Sequence, residues 1–176
     1  SGAGTTSVTT AFAHIFKDER IDAAWIEGDS YHRYDRAEMA RQVDAAAREG
    51  RTLTHFGPEG NLFDELEALF ATYGTSGTGR CRHYIHTEDD ARRHGAAPGT
   101  FTPWQPLPAD TDLLFYEGLH GGLVDETHDL ARHVDLLIGV VPIINLEWIQ
   151  KIHRDQAVRG YSAETATQMI LRRMPD

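Results

Sequence analysis

Apolar residues recur at helical spacing in several stretches of the chain. Val8, Phe12, Ile15 and Phe16 follow the i, i+4, i+7, i+8 spacing of one helix face, which predicts a helix over residues 5–17. Glycines mark where further helices are expected to stop. The other predicted helices lie around Met39–Ala47 before Gly50, around Leu62–Tyr73 before Gly74, and over residues 146–159 and 162–173, which Gly160 and Tyr161 separate.

Continuous apolar runs predict three strands. They cover residues 23–27 (AAWIE), 113–116 (LLFY) and 136–141 (LLIGVV), and the last two are typical of strands buried on both faces. Residues 74–80 predict a flexible turn, and the four prolines within residues 95–110 predict a surface loop. Because strand and helix patterns alternate, we expect an α/β fold with a mainly parallel sheet flanked by helices.

The composition is that of an ordinary globular protein, with 176 residues of which 40% are hydrophobic and 25% charged. This length predicts a single domain over residues 1–176. The sequence has no apolar run long enough to span a membrane, and its net charge of −10 argues against a nucleic-acid-binding surface. Cys81 is the only cysteine, so no internal disulfide is expected, which fits a reducing, cytoplasmic compartment.

The two ends of the sequence indicate an incomplete fold. The chain opens on the glycine-rich segment SGAGTT with no strand before it, and it stops after Arg172 and Arg173 with no closing strand. We therefore expect a fragment of a longer protein, truncated at both ends, that is inactive in isolation.

The opening segment has features of a phosphate-binding loop. The usual pattern is G-x-x-x-x-G-K-[ST], in which backbone N–H groups and a helix N-terminus bind phosphate oxygens. Gly4 matches the second glycine and Thr6 the hydroxyl that reaches Mg²⁺, whereas Thr5 stands in place of the lysine. An ordinary loop-to-helix junction would have the same composition. The candidate nucleotide-binding residues are Ser1, Gly2, Ala3, Gly4, Thr5 and Thr6.

Two acidic residues follow predicted strands, at the edge where open α/β sheets bind ligands. Asp29, just after strand 23–27, is placed to accept a proton from an attacking hydroxyl. His32 and Arg36 are spaced i, i+4, so a helical turn would place both beside Asp29, in reach of a phosphate group. Taken alone, this motif is better explained by Asp29 as a helix N-cap. Glu117 ends strand 113–116, where an acid holds Mg²⁺ directly or through water, or simply acts as a cap.

The predicted helix over residues 146–159 carries charged side chains on one face. At 100° per residue, Lys151, Asp155 and Arg159 fall within roughly an 80° arc, and Arg154 lies about 60° to the other side of Lys151. Such a face is usually a surface ion-pair network. The functional interpretation is a lid that brings Lys151 and the arginines to phosphoryl oxygens and replaces the charge missing at Thr5.

The ten histidines do not match a zinc signature. The spacings of His83, His86, His120, His128 and His133 fit no such pattern, and no cysteine accompanies them. We therefore expect no structural metal.

Together, these motifs resemble phosphoribulokinases, in particular the bacterial class, over the whole chain. The resemblance rests on the strings SGAGTT, IEGDSYHRYDRAEM, GRCRHYIH, LLFYEGLHGG and GVVPIINLEWIQKIHRDQAVRGYS. The last string is the most specific, since related uridine and pantothenate kinases share the phosphate loop but not this string. The resemblance implies a P-loop kinase fold and transfer of the γ-phosphoryl group of ATP to O1 of D-ribulose 5-phosphate, a step of carbon fixation in the Calvin cycle.

The resemblance also implies roles for individual residues. Asp29 matches the catalytic base, Glu117 the acid associated with the Mg²⁺–nucleotide, Lys151 the phosphoryl-stabilising lysine and Arg154 a neighbouring functional arginine. The residues that match contacts to the sugar phosphate are His32, Arg36, Asp155 and Arg159. The bacterial class further implies activation by NADH through arginines at the positions of Arg172 and Arg173, and a homo-octamer.

Two other functions remain open from the sequence. A related kinase would act on an uncharged acceptor of the uridine or pantothenate type, and Arg36 and Arg159 argue against it. A non-catalytic nucleotide-binding module with a regulatory role would need neither Asp29 nor Lys151.

Overall fold

The computed structural model describes residues 4–141 and 143–173. The side chains that lie outside this description within those ranges are Ile144, Val158, Arg159, Arg172 and Arg173. Contacts divide the chain into two compact units, one formed by Ser1–Ile15 with Ile138–Asp176 and the other by Phe16–Leu137. The single domain expected over residues 1–176 therefore stays a prediction.

The predicted helices are present in the described part of the chain, with several ends shifted by one to three residues. Gly74 does not end its helix, which continues to Ser76 and stops at Gly77, whose φ is 64°. A glycine inside a helix costs only about 1 kcal/mol, whereas a left-handed C-cap favours glycine strongly. The helices are α1 (Thr5–Glu19), α2 (Arg36–Arg48), α3 (Phe63–Ser76), α4 (Glu88–His94), α5 (Ile144–Arg159) and α6 (Ala163–Arg173).

Two of the three predicted strands are confirmed, and they pair in parallel. β1 (Ala23–Glu27) runs beside β4 (Leu113–Glu117) in a register from Ala23 opposite Leu113 to Glu27 opposite Glu117. Two short strands that the sequence did not predict, β2 (Arg80–Cys81) and β3 (Gln105–Pro106), pair antiparallel. The predicted turn over residues 74–80 is therefore helical at its start and ends in β2.

The strand predicted over residues 136–141 is wrong. This run has no regular structure, and its side chains are largely exposed, with Leu136 72% and Val141 90% accessible to solvent. A strand requires a neighbour for its backbone hydrogen bonds. Among the residues that the structure describes, no strand pairs with this run.

The parallel sheet is covered by helices on both faces. Ala24 and Ile26 of β1 pack with Leu66, Leu69 and Phe70 of α3 in one buried cluster. On the opposite face, the ring of Phe16 near the end of α1 packs with the rings of Trp25 and Phe115, with ring centres 4.7–5.8 Å apart. This α/β arrangement is the one that the alternating pattern predicted. Within the described helices, none combines the length and apolar character that crossing a bilayer requires.

Candidate active site

The carboxyl ends of β1 and β4 lie side by side, with Glu27 opposite Glu117. Beyond β1 the chain turns through a short 3₁₀ helix, Gly28–Tyr31, which carries Asp29. A Cβ atom at Gly28 would lie 2.6 Å from the Tyr116 hydroxyl and 2.9 Å from the Cα of Gly118. Only glycine fits this approach, which brings Asp29 to the sheet edge that the sequence predicted.

Arg82 holds the turn that carries Asp29. Its Nε donates a hydrogen bond to the Ser30 carbonyl at 2.8 Å, and its Nη2 donates to the His32 carbonyl at 2.6 Å. The guanidinium also lies over the rings of Phe101 and Trp104, at 3.7 and 4.7 Å from their centres. The sequence analysis did not select Arg82 as a site residue, and its only signal was its place in the string GRCRHYIH.

The Asp29 carboxylate lies between two imidazoles. Nε2 of His32 is 3.2 Å from Oδ1, and Nε2 of His86 is 3.4 Å from Oδ2. The hydrogen bond from His32 outweighs the effect of burial and, with the charges of His32 and His86, lowers the pKa of Asp29 to about 2. The side chain is 50% exposed, so this ionised carboxylate is accessible to a ligand.

The helical turn predicted to join His32 and Arg36 is wrong. His32 ends the 3₁₀ helix in an extended conformation, and Arg36 begins α2, whose N-cap is Asp35. Because Asp35 accepts the N–H of Glu38, the helix cap considered for Asp29 belongs to Asp35 instead. Arg36 still lies close by, since its Nη2 donates a 3.4 Å hydrogen bond to the carbonyl of His86.

Asn61 is a further residue of this site that the sequence analysis missed. Its side chain is buried, and its Oδ1 lies 2.8 Å from Nδ1 of His32. Its Nδ2 donates to the carbonyls of His55 at 2.9 Å and Gly57 at 2.8 Å. A single asparagine in a loop has no recognisable spacing, so only the structure reveals this contact.

The predicted magnesium ligands supply suitable donors. Glu117 ends β4 at the same sheet edge, and Thr6 lies in the first turn of α1, in the other compact unit. Carboxylate and hydroxyl oxygens suit Mg²⁺, which proteins bind with one or two carboxylates and substrate phosphates. Within the described residues, no group of three or more metal-binding side chains comes together. A magnesium site that relies on substrate phosphates does not need such a group.

The predicted phosphate loop is described only from Gly4 onward. Gly4 has a φ of 89°, and its carbonyl accepts the N–H of Ser7 at 3.0 Å, so the chain enters α1 directly after this glycine. Thr5 and Thr6 begin the helix, as the motif requires. The other three candidate residues, Ser1, Gly2 and Ala3, lie outside the described residues.

The charged face of α5 is an ion-pair cluster around one buried acid. Asp155 is fully buried, with Nζ of Lys151 2.6 Å from Oδ2 and Nη2 of Arg154 3.1 Å from Oδ1. The structure therefore brings these three predicted residues together on one helix. The side chains of Arg159, Arg172 and Arg173 are not described, so the roles predicted for them stay predictions.

Comparison with known proteins agrees with this architecture. The model of the phosphoribulokinase / uridine kinase family matches residues 1–176. Over its whole length the chain is 60% identical to the chromosomal phosphoribulokinase of Cupriavidus necator and 57% identical to the phosphoribulokinase of Rhizobium meliloti. It spans 61% of the length of each of these relatives.

A solved structure supports the fold. The phosphoribulokinase from Rhodobacter spheroides matches with a TM-score of 0.83 and 49% identity, covering 97% of this chain and 59% of that one. The two chains therefore share much of their sequence as well as their fold, and the predicted P-loop kinase fold is confirmed. The chain therefore belongs to the phosphoribulokinase / uridine kinase family.

Proposed function

We propose that the protein containing this chain transfers the γ-phosphoryl group of ATP to O1 of D-ribulose 5-phosphate, giving ribulose 1,5-bisphosphate for carbon fixation. The observation that carries the proposal is the ionised, half-exposed carboxylate of Asp29 at the sheet edge, beside the end of the strand that carries Glu117. The 60% identity to a phosphoribulokinase over the whole chain supports this acceptor.

Asp29 is the proposed base of this reaction. Phosphoryl transfer depends on positioning and charge stabilisation more than on covalent chemistry. A carboxylate in hydrogen-bond reach of the acceptor hydroxyl removes its proton as the oxygen attacks the γ-phosphorus, an effect typically worth about 10²–10⁴-fold in rate. His32 and His86 hold the carboxylate in place from both of its oxygens.

The remaining predicted residues are proposed to form the binding sites for the phosphate groups. Residues 1–6 and the N-terminus of α1 are suited to the phosphates of ATP. When bound, Mg²⁺ supplies positive charge to these phosphates, and Thr6 and Glu117 would hold it. Lys151 and Arg154 stabilise the transferred group, and Asp155 sets their positions through its two ion pairs. The residues proposed from the resemblance to lie at the sugar-phosphate site are His32, Arg36, Asp155 and Arg159.

The resemblance to bacterial phosphoribulokinases supports three finer proposals. We propose activation by NADH through Arg172 and Arg173, assembly of the full-length protein as a homo-octamer, and a cytoplasmic location.

ADP release by the full-length protein tests the reaction. ATP and Mg²⁺ are supplied with ribulose 5-phosphate, uridine or pantothenate, each with and without NADH. We expect turnover only with ribulose 5-phosphate. Turnover only with another acceptor would keep the kinase activity and reject the proposed substrate. ATP binding by a folded protein with no turnover would favour a regulatory module.

The Asp29→Asn variant tests the base. We expect kcat to fall by about 10²–10⁴-fold with little change in the KM for the sugar phosphate. Asp44→Asn, an exposed position on α2, is the matched control and should leave kcat unchanged. A kcat for Asp29→Asn within a few-fold of the original protein would remove Asp29 from this role.

A further inference from the structure

The orientation of the Asn61 side chain determines which nitrogen of His32 carries a proton. Both N–H bonds of the Asn61 amide point to backbone carbonyls, those of His55 and Gly57. The amide oxygen is therefore the atom that faces Nδ1 of His32, at 2.8 Å. An amide oxygen only accepts hydrogen bonds, so Nδ1 must be the donor.

The proton on Nδ1 leaves Nε2, the other ring nitrogen, without a hydrogen when His32 is neutral. With a proton on Nδ1, neutral His32 presents the lone pair of Nε2 to Oδ1 of Asp29, 3.2 Å away. A lone pair and a carboxylate oxygen repel each other unless a proton lies between them. A proton placed between the two atoms removes this repulsion and is bound by both residues.

The occupancy of this shared position decides whether Asp29 can act as a base. When Nε2 carries the proton, its hydrogen bond lowers the pKa of Asp29, and the carboxylate is a weaker proton acceptor. When the position is empty, a proton taken by Asp29 is stabilised by the nitrogen lone pair. The form without the shared proton is therefore the stronger base.

We propose that Asn61 is a positioning residue that holds the proton of neutral His32 on Nδ1, so that Nε2 and the Asp29 carboxylate act together as one base. This inference rests on the proposed function. In the step itself the O1–H bond of the sugar breaks and its electron pair stays on O1, which forms a bond to the γ-phosphorus of ATP. The bond from that phosphorus to the bridging oxygen of the β-phosphate breaks, and its electron pair leaves with ADP. The proton passes through the carboxylate to form the new N–H bond at Nε2. ATP and the sugar phosphate are the two reactants of this step.

The surroundings of the pair are rich in imidazoles. Nε2 of His86 faces the second oxygen of Asp29, and the ring of His55 lies 4.6 Å from that of His32. His120 is near both His32 and Asp29. Burial lowers the pKa of His120, which favours its neutral form. The described charged and titratable groups around the pair include His55, His86, His120, Arg36, Arg82 and Tyr116.

Solid-state ¹⁵N NMR of the full-length protein, labelled at histidine, tests the assignment directly. The His32 signals are identified by their loss in His32→Gln. Above the pH at which the pair loses its shared proton, we expect the hydrogen of neutral His32 on Nδ1. A hydrogen on Nε2 would overturn the proposal. This measurement does not depend on the reaction, so it stands even if ribulose 5-phosphate is not the substrate.

Two variants separate the proton assignment from simple anchoring of the loop. Asn61→Asp keeps an oxygen acceptor for Nδ1, whereas Asn61→Leu removes it, and both lose the hydrogen bonds to the His55 and Gly57 carbonyls. We expect kcat of the leucine variant to be at least about tenfold below that of the aspartate variant, with KM for the sugar phosphate within a few-fold.

The pH profile and the folded state complete this test. The added carboxylate of Asn61→Asp stabilises the proton on His32, so the acidic limb of its kcat profile should move to higher pH. Equal loss of kcat in two folded variants would show that Asn61 only anchors the loop. If both variants unfold, the NMR result on the unaltered protein decides. Absence of turnover by a protein that has the Nδ1–H form would count against the proposed function alone.

Discussion

The ionisation of Asp29 depends on partners that lie on separate segments. His32 follows it on the same turn, and His86 lies just before α4. Arg82, directly after β2, holds the backbone of the turn through the Ser30 carbonyl. Each of these side chains contacts a single carboxylate oxygen or backbone carbonyl group. Individual side chains therefore determine the charge of Asp29.

The stability of the fold should reflect the ionisation of Asp29 at acid pH. Its pKa in the folded state, about 2, lies below the ordinary value of about 4. The contribution to the free energy of unfolding is therefore fully present above about pH 4 and is lost as the pH falls through about 2. It is small, because the side chain is half exposed.

Urea unfolding of the original protein and Asp29→Asn, measured between about pH 5 and pH 2, checks this sign. The difference in unfolding free energy should shrink as the pH falls. A constant difference would show that Asp29 has an ordinary pKa in the folded state.

Replacement of Arg82 should disturb the turn even when the charge is kept. Arg82→Lys loses the planar group that reaches two carbonyls and lies over two rings. We expect a loss of about 1–3 kcal/mol in unfolding free energy and a lower kcat. Arg92→Lys, an exposed position on α4, is the control and should change stability by less than about 0.5 kcal/mol. Equal effects of the two substitutions would contradict the role of Arg82.

At the scale of secondary-structure elements, local sequence patterns were enough to predict most helices and strands without knowledge of tertiary contacts. The spacing of Val8, Phe12 and Phe16 predicted α1, and the run AAWIE predicted β1 with its observed ends. Gly74 was misread as a stop, because sequence alone does not show whether a glycine has positive φ. In the structure that conformation falls on Gly77.

The same substitution at two glycines should have opposite effects. At Gly28 an added methyl group meets the Tyr116 hydroxyl and the Gly118 backbone, so Gly28→Ala should destabilise the protein by about 1–3 kcal/mol. Gly74 is exposed inside α3 with open space around it, so Gly74→Ala should stabilise by about 0.5–1 kcal/mol. Thermal unfolding of both variants measures this difference. A stable, active Gly28→Ala variant would contradict the close approach of β1 to β4.

At the scale of the whole molecule, the chain exposes an apolar segment. Within residues 136–143, Leu136 is 72%, Val141 90% and Ile143 74% exposed. Large apolar side chains left this exposed favour association with other apolar surfaces. The chain also spans only 61% of the length of its relatives from Cupriavidus necator and Rhizobium meliloti.

We therefore expect the 176-residue chain to self-associate when it is prepared by itself. Sedimentation velocity should show species larger than a monomer, and the double variant Leu136→Lys with Val141→Lys should reduce them. Val124→Lys places the same charge at an exposed position outside the segment and is the control. A monomer at all concentrations would show that this segment drives no association.

The sequence by itself determined five of the six described helices, the strands β1 and β4, and the family, because hydrophobic periodicity and short motifs are local properties of the chain. It also placed Asp29 and Glu117 at strand ends, since the strand boundaries were visible. Only the tertiary structure decided which groups surround Asp29, because His86, Arg82 and Asn61 reach the turn from other segments. It likewise decided that residues 136–141 form no strand, since an apolar run becomes a strand only when a neighbour satisfies its backbone.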